Sequence, residues 1–114
     1  MKNALFALPL IIVLLGAGGC ARPLASGALR AGVEAASGND WEEAVRYWTK
    51  ALEQDPGSPA AHNNLAVALE RQGAWEEARR EYEAALRLDP DNRTIKDNYE
   101  SFKARQESGR WRAP

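Results

Sequence analysis

Cysteine and histidine occur once each in the 114 residues, as Cys20 and His62. A single cysteine excludes an intrachain disulfide. A single histidine, with no second imidazole and only one thiol in the chain, argues against the common zinc sites. An excess of one charge is also missing: 15 Lys and Arg stand against 16 Asp and Glu, for a net charge of −1. That balance argues against a nucleic-acid partner, which needs a basic face. No strand-like alternation is evident, and so no Gly-rich phosphate loop follows a strand. No Ser/His/Asp order is worth defending either. These absences argue against an enzyme, and no cofactor and no metal is expected.

Long apolar runs are absent except at the start, "MKNALFALPLIIVLLGAGGC". One Lys, an apolar stretch from Ala4 to Leu15 and then small residues follow the order of an export signal. The stretch is short for a membrane-spanning helix, and Pro9 interrupts it. Residues 1–19 are therefore expected to be a signal peptide.

Cys20 directly follows "LLGAGG". This resembles the lipobox of bacterial lipoproteins, which implies that Cys20 is acylated (palmitate-type chains) and begins the mature protein. The pattern usually has Leu, Val or Ile three residues before the Cys, where this chain has Ala17. Ala17 and Gly19 also form a small-x-small cleavage site, so ordinary cleavage to a soluble periplasmic protein is the alternative. One acyl chain binds a bilayer marginally, and two or three bind firmly, since each buried CH2 contributes roughly 0.8 kcal/mol. With Ala21 rather than Asp after the Cys, enterobacteria-like sorting implies the outer membrane, facing the periplasm.

What the chain does have is a phrase written twice. "WEEAVRYWTKALEQDP" begins at Trp41 and "WEEARREYEAALRLDP" at Trp75, thirty-four residues later. Between them, Leu65, Ala66 and Leu69 recur at helical spacing. Ser58-Pro59 is an N-cap and first-turn pair, and Gly73 suits a left-handed C′ position. Helices are thus expected over 59–72 and 75–88, the second with Trp75, Ala78, Tyr82 and Ala85 along one face. Asp89-Pro90 stops it. Asp40 with Glu43 reads as a capping box for an earlier helix carrying Ala44, Trp48 and Ala51. Before that, "ASGALRAGVEAAS" offers mostly small residues and predicts a thinly packed helix. After Pro90, Ile95, Tyr99 and Phe102 form a last stripe.

Helix, tight turn, helix and a period of 34 resemble the tetratricopeptide repeat. The family pattern W-x2-L-G-x2-Y, A-x3-F and closing Pro corresponds to His62, Leu65, Ala66, Leu69, Ala78, Tyr82, Ala85 and Pro90. The resemblance implies an all-α solenoid: repeats at about 25–58 and 59–92, then a capping helix at about 92–106. The expected domain runs over 27–106, after a lipidated Cys and linker at 20–26 and before a flexible tail at 107–114 that carries Arg110-Trp111-Arg112. One unit cannot bury its own apolar face, hence the repetition and the cap, whose Glu100 replaces a small residue.

The remaining features divide between structure and function. Glu42-Glu43 and Glu76-Glu77 open helices, where negative charge suits the macrodipole. His62 and the aromatics Trp41, Trp48, Trp75, Tyr82 and Tyr99 read as packing residues. In the family, the first helix of each unit lines a concave groove for peptides or partner helices. Carried over, that face holds Asn63, Asn64, Val67, Arg71, Asp97, Asn98 and Ser101, with Arg30, Val33 and Arg105 beyond. Asn64 and Asn98, one period apart, would lie one above the other, facing a peptide backbone or bonding neighbouring helices. The resemblance thus implies a noncatalytic adaptor that binds a protein or peptide partner and reaches the membrane through its lipid anchor. A self-associating structural protein, a homo-oligomer, is the alternative. The chaperone-tail clamp of the family is not implied: its cationic places hold Leu29, Val33, Thr94 and Asn98, and only Asn64 agrees.

Overall fold

The computed structural model describes residues 25–109. The signal-like segment, Cys20 and the Arg110–Arg112 motif lie outside the described residues. Within them the chain forms five helices and no strand: α1 (25–37), α2 (Trp41–Gln54), α3 (Pro59–Arg71), α4 (Trp75–Leu88) and α5 (Arg93–Glu107). Ala25 and Ser26, which the sequence assigns to the linker, are already helical, and Ala25 is buried.

Local chemistry sets the helix ends. Asp40 Oδ1 accepts from the Glu43 N–H at 3.0 Å, Ser58 Oγ from Ala61 at 3.1 Å, and Asn92 Oδ1 from Ile95 at 3.1 Å. Each satisfies a first-turn N–H that has no partner inside its helix. The capping box at α2 is only half formed, because the Glu43 carboxylate pairs with Arg46 instead of reaching back. The second copy lacks a side-chain cap altogether, since Ala74 occupies the place of Asp40. α1 and α3 end alike: Asn39 (φ 61°) and Gly73 (φ 78°) are left-handed, and the next N–H donates back to Ala35 and Leu69 respectively, each at 2.9 Å. Asn tolerates that conformation, and Gly adopts it freely.

Small residues set how closely the helices pack. Ala44, Ala66 and Ala78 are fully buried in one cluster with Trp48, Leu65, Leu69, Tyr82 and Phe102. α3 packs most extensively on α4, then on α2, so it is the central helix. α5 closes the stack with Ile95 and Phe102 buried, and its Glu100 lies at the solvent paired with Lys103 at 2.7 Å. Phe102 and Tyr82 lie 5.3 Å apart between ring centroids, and Tyr99 stacks on Tyr82 at 5.7 Å. Burying Phe102 and Tyr82 contributes roughly 1.5–3 kcal/mol each, which is what holds the last helix down. α1 is thin as its sequence predicts. It is held chiefly by Trp48, whose indole rests on Gly32 and donates from Nε1 to the Leu29 carbonyl at 3.0 Å.

Candidate functional site

α3 and α5 lie side by side with α4 behind them, and two depressions, one of them polar, open between them. The polar one, about 300 Å³, has Val67, Glu70 and Arg71 of α3 on one wall. Asn98, Ser101 and Arg105 of α5 form the other wall, and Tyr82 of α4 reaches in from behind. Its neighbour lies toward the start of α3, where Asn63 and Asn64 face Asn92 and Thr94.

A buried carboxylate organises the polar cleft. Glu70 is only 6 % exposed. Its Oε2 accepts from the Tyr82 hydroxyl at 2.9 Å, and its Oε1 accepts from Arg105 Nε at 2.6 Å. Arg105 Nη2 also pairs with the same oxygen. Three helices thus converge on one acid. A charge so far from water is tolerated only when it is paired and hydrogen-bonded, as this one is. Burial, and then the Glu70 carboxylate, push the Tyr82 phenol well above its ordinary pKa, so it remains the donor in this bond.

The residues picked from the sequence separate into groups. Val67, Arg71, Asn98 and Ser101 share the polar cleft, while Asn63 and Asn64 border its neighbour. Asp97 is exposed and lines neither. Asn98 does not bond to Asn64; its Nδ2 donates to Asn63 Oδ1 at 3.1 Å, and Asn63 Nδ2 donates to Asn64 Oδ1 at 3.3 Å. The three amides form a ladder between α3 and α5, with Asn63 buried at its centre. Arg71 is exposed and holds its guanidinium 5.2 Å from the Trp41 ring centroid, a cation–π approach.

Glu70 escaped the sequence reading, although it directly precedes Arg71 of the picked face. A signal was available: Arg105 follows Glu70 by 35 residues, the spacing that also separates the bonded pair Asn63 and Asn98. His62 is a structural tie. Its Nδ1 lies 2.6 Å from Glu81 Oε2 and its Nε2 lies 2.9 Å from the Pro56 carbonyl, linking α3 to α4 and to the preceding turn. Glu42-Glu43 and Glu76-Glu77 stand in the first turns of α2 and α4. Among the described residues, no helix is long and apolar enough to cross a membrane.

A stack of paired helices that leaves a polar cleft along one side is the architecture of a helical-repeat interaction domain. A tetratricopeptide repeat family model matches residues 29–93, more than half of the chain. The chain belongs to the tetratricopeptide repeat family, whose domains bind protein or peptide partners. The C-terminal tetratricopeptide-containing domain of a Plasmodium falciparum protein described as FK506-binding is similar in structure. Its TM-score is 0.71 at 26 % identity, over 79 % of this chain. The match spans only 60 % of that domain. The first tetratricopeptide domain of human RPAP3 aligns over 79 % of this chain and 98 % of its own, at 18 % identity and a TM-score of 0.43. No curated protein matches the chain.

Proposed function

We propose that this protein is a noncatalytic adaptor of the bacterial cell envelope. In this reading Cys20 is acylated and holds the domain at a membrane, the outer membrane by its Ala21, while the α3–α5 face docks a protein partner. The observation that supports docking is the cleft around Glu70. It is open and polar, its one buried charge is fully satisfied, and Ser101 beside it makes no hydrogen bond among the described residues. Polar groups left without partners on a rigid helical surface suit recognition of an extended segment. The lipobox-like sequence at Cys20 supports tethering.

Two variants test the two halves separately. Cys20→Ser should leave the membrane fraction and fail to mature; a variant that still sediments and runs at mature size would contradict the anchor. Ser101→Trp plugs the cleft from an exposed position, and exposed substitutions shift stability by about 0.5 kcal/mol or less. It should melt normally and lose partner capture. Undiminished capture would move docking away from this face. Self-association is the second reading, favoured by Val33, which is 48 % exposed on the thin helix α1. A concentration-independent monomer in a mass measurement would dispose of it.

A further inference from the structure

The charges lining the polar cleft do not cancel, and they narrow what can enter it. Glu70 has both oxygens committed, one to Tyr82 and one to Arg105, and it is almost out of contact with water. Its charge is matched by Arg105. Arg71 remains. Among the described residues no carboxylate lies within ion-pair distance of its guanidinium, which instead approaches the Trp41 ring. Two guanidiniums against one satisfied carboxylate leave the lining positive, in a chain whose net charge is −1.

Resting on the docking function proposed above, we infer that this cleft receives an acidic side chain, Asp or Glu, from an extended segment of the partner protein. Arg71 supplies the charge, and its planar fork matches a carboxylate. Ser101 adds a hydroxyl donor from the opposite wall. Asn98 has its Nδ2 committed to Asn63, which fixes the amide and leaves Oδ1 to accept a backbone N–H of the segment. Val67 gives the methylenes of the incoming side chain an apolar wall. Among the described residues a Lys or Arg side chain would find no free acceptor of opposite charge there, because Glu70, the one carboxylate in that lining, is already saturated. Asp97 stands outside the cleft and exposed, where water and salt screen it.

The test begins with short linear peptides of random sequence displayed on phage and selected on the full chain in mild detergent. Asp and Glu should be enriched. A selected peptide, labelled with fluorescein, should bind at least about tenfold more tightly than its Asn or Gln counterpart. Added salt should weaken the acidic peptide more than its counterpart. Arg71→Glu should reverse the preference, losing the acidic peptide and taking a version with Lys in that place. Because Arg71 is exposed, its melting should stay normal. Selected peptides that Ser101→Trp blocks but that carry no acidic excess would overturn the acidic assignment and leave docking standing. An unchanged preference in Arg71→Glu would overturn it as well. Selection of no peptide at all would count against docking in the cleft itself, and the acidic assignment would fall with it.

Discussion

Gly32→Ala sets two principles against each other, and the structure says which wins. Gly32 is helical, and alanine in a helix interior is favoured over glycine by about 0.8–1.0 kcal/mol. Propensity alone therefore predicts stabilisation. A Cβ at this position, however, would meet Trp48 in several places, with Cδ1 at 2.5 Å and Cε2 at 2.6 Å. The indole would have to move, and its Nε1–H would lose the Leu29 carbonyl. Overpacking of this kind costs about 1–3 kcal/mol, and a buried donor left unsatisfied costs about 1–3 kcal/mol more. After the propensity gain, the net loss should be about 1–5 kcal/mol. In a domain of this size each kcal/mol lowers the melting temperature by about 4–8 °C. Circular dichroism gives the melt, and a red shift of tryptophan emission would report an indole turned toward water. A variant that melts at or above the parent temperature would refute the packing of α1 on Trp48.

Three further substitutions probe separate features. Ala78→Leu places extra bulk in a fully buried contact between α3 and α4 and should cost about 1–3 kcal/mol in urea unfolding; no loss would mean the helices are not in contact there. Ala74→Ser restores the cap that α4 lacks and should stabilise by about 0.5 kcal/mol or more, because the backbone at Ala74 (φ −84°, ψ 69°) nearly repeats that of Asp40 (φ −86°, ψ 78°); a neutral result would mean the hydroxyl does not reach the first turn. The raised pKa of Tyr82 predicts alkaline sensitivity: its contribution is fully present below the ordinary value of 10.0 and is lost above it, by about 1.4 kcal/mol per pH unit, as the unfolded chain ionises first. Tyr82→Phe should flatten that alkaline decline, leaving the smaller shares of Tyr99, raised first by burial and then by its bond to Glu83, and of Lys103, raised first by its bond to Glu100. The same slope in the variant would rule Tyr82 out as its source.

Much of the fold could be read in advance because the relevant forces are local. Ser58, Asp40 and Gly73 act on their own helix ends, and the Ala78–Tyr82–Ala85 face follows from helical spacing alone. The aromatics taken as core behave accordingly: Trp48 and Tyr82 are buried, and Trp41, Trp75 and Tyr99 pack against the same cluster. The cleft was less legible. A period of 34 identifies equivalent positions, and equivalence does not mean contact. The pairs that touch, Asn63 with Asn98 and Glu70 with Arg105, are separated by 35, one residue off the repeat. Glu70 also carries a residue type normally found in water, so its burial depends on two partners from other helices that no window around it contains.

The central claim, that the α3–α5 face receives a partner, is tested most directly by photo-crosslinking in the cells that make the protein. A photoreactive amino acid would replace Ser101 in the cleft or Arg80 on α4. Arg80 is exposed and lies two residues before Tyr82, hence on the opposite side of that helix. The account predicts one discrete adduct to a different protein from position 101 and none from position 80. An adduct from position 80 alone, or from position 101 only to a second copy of this chain, would contradict it.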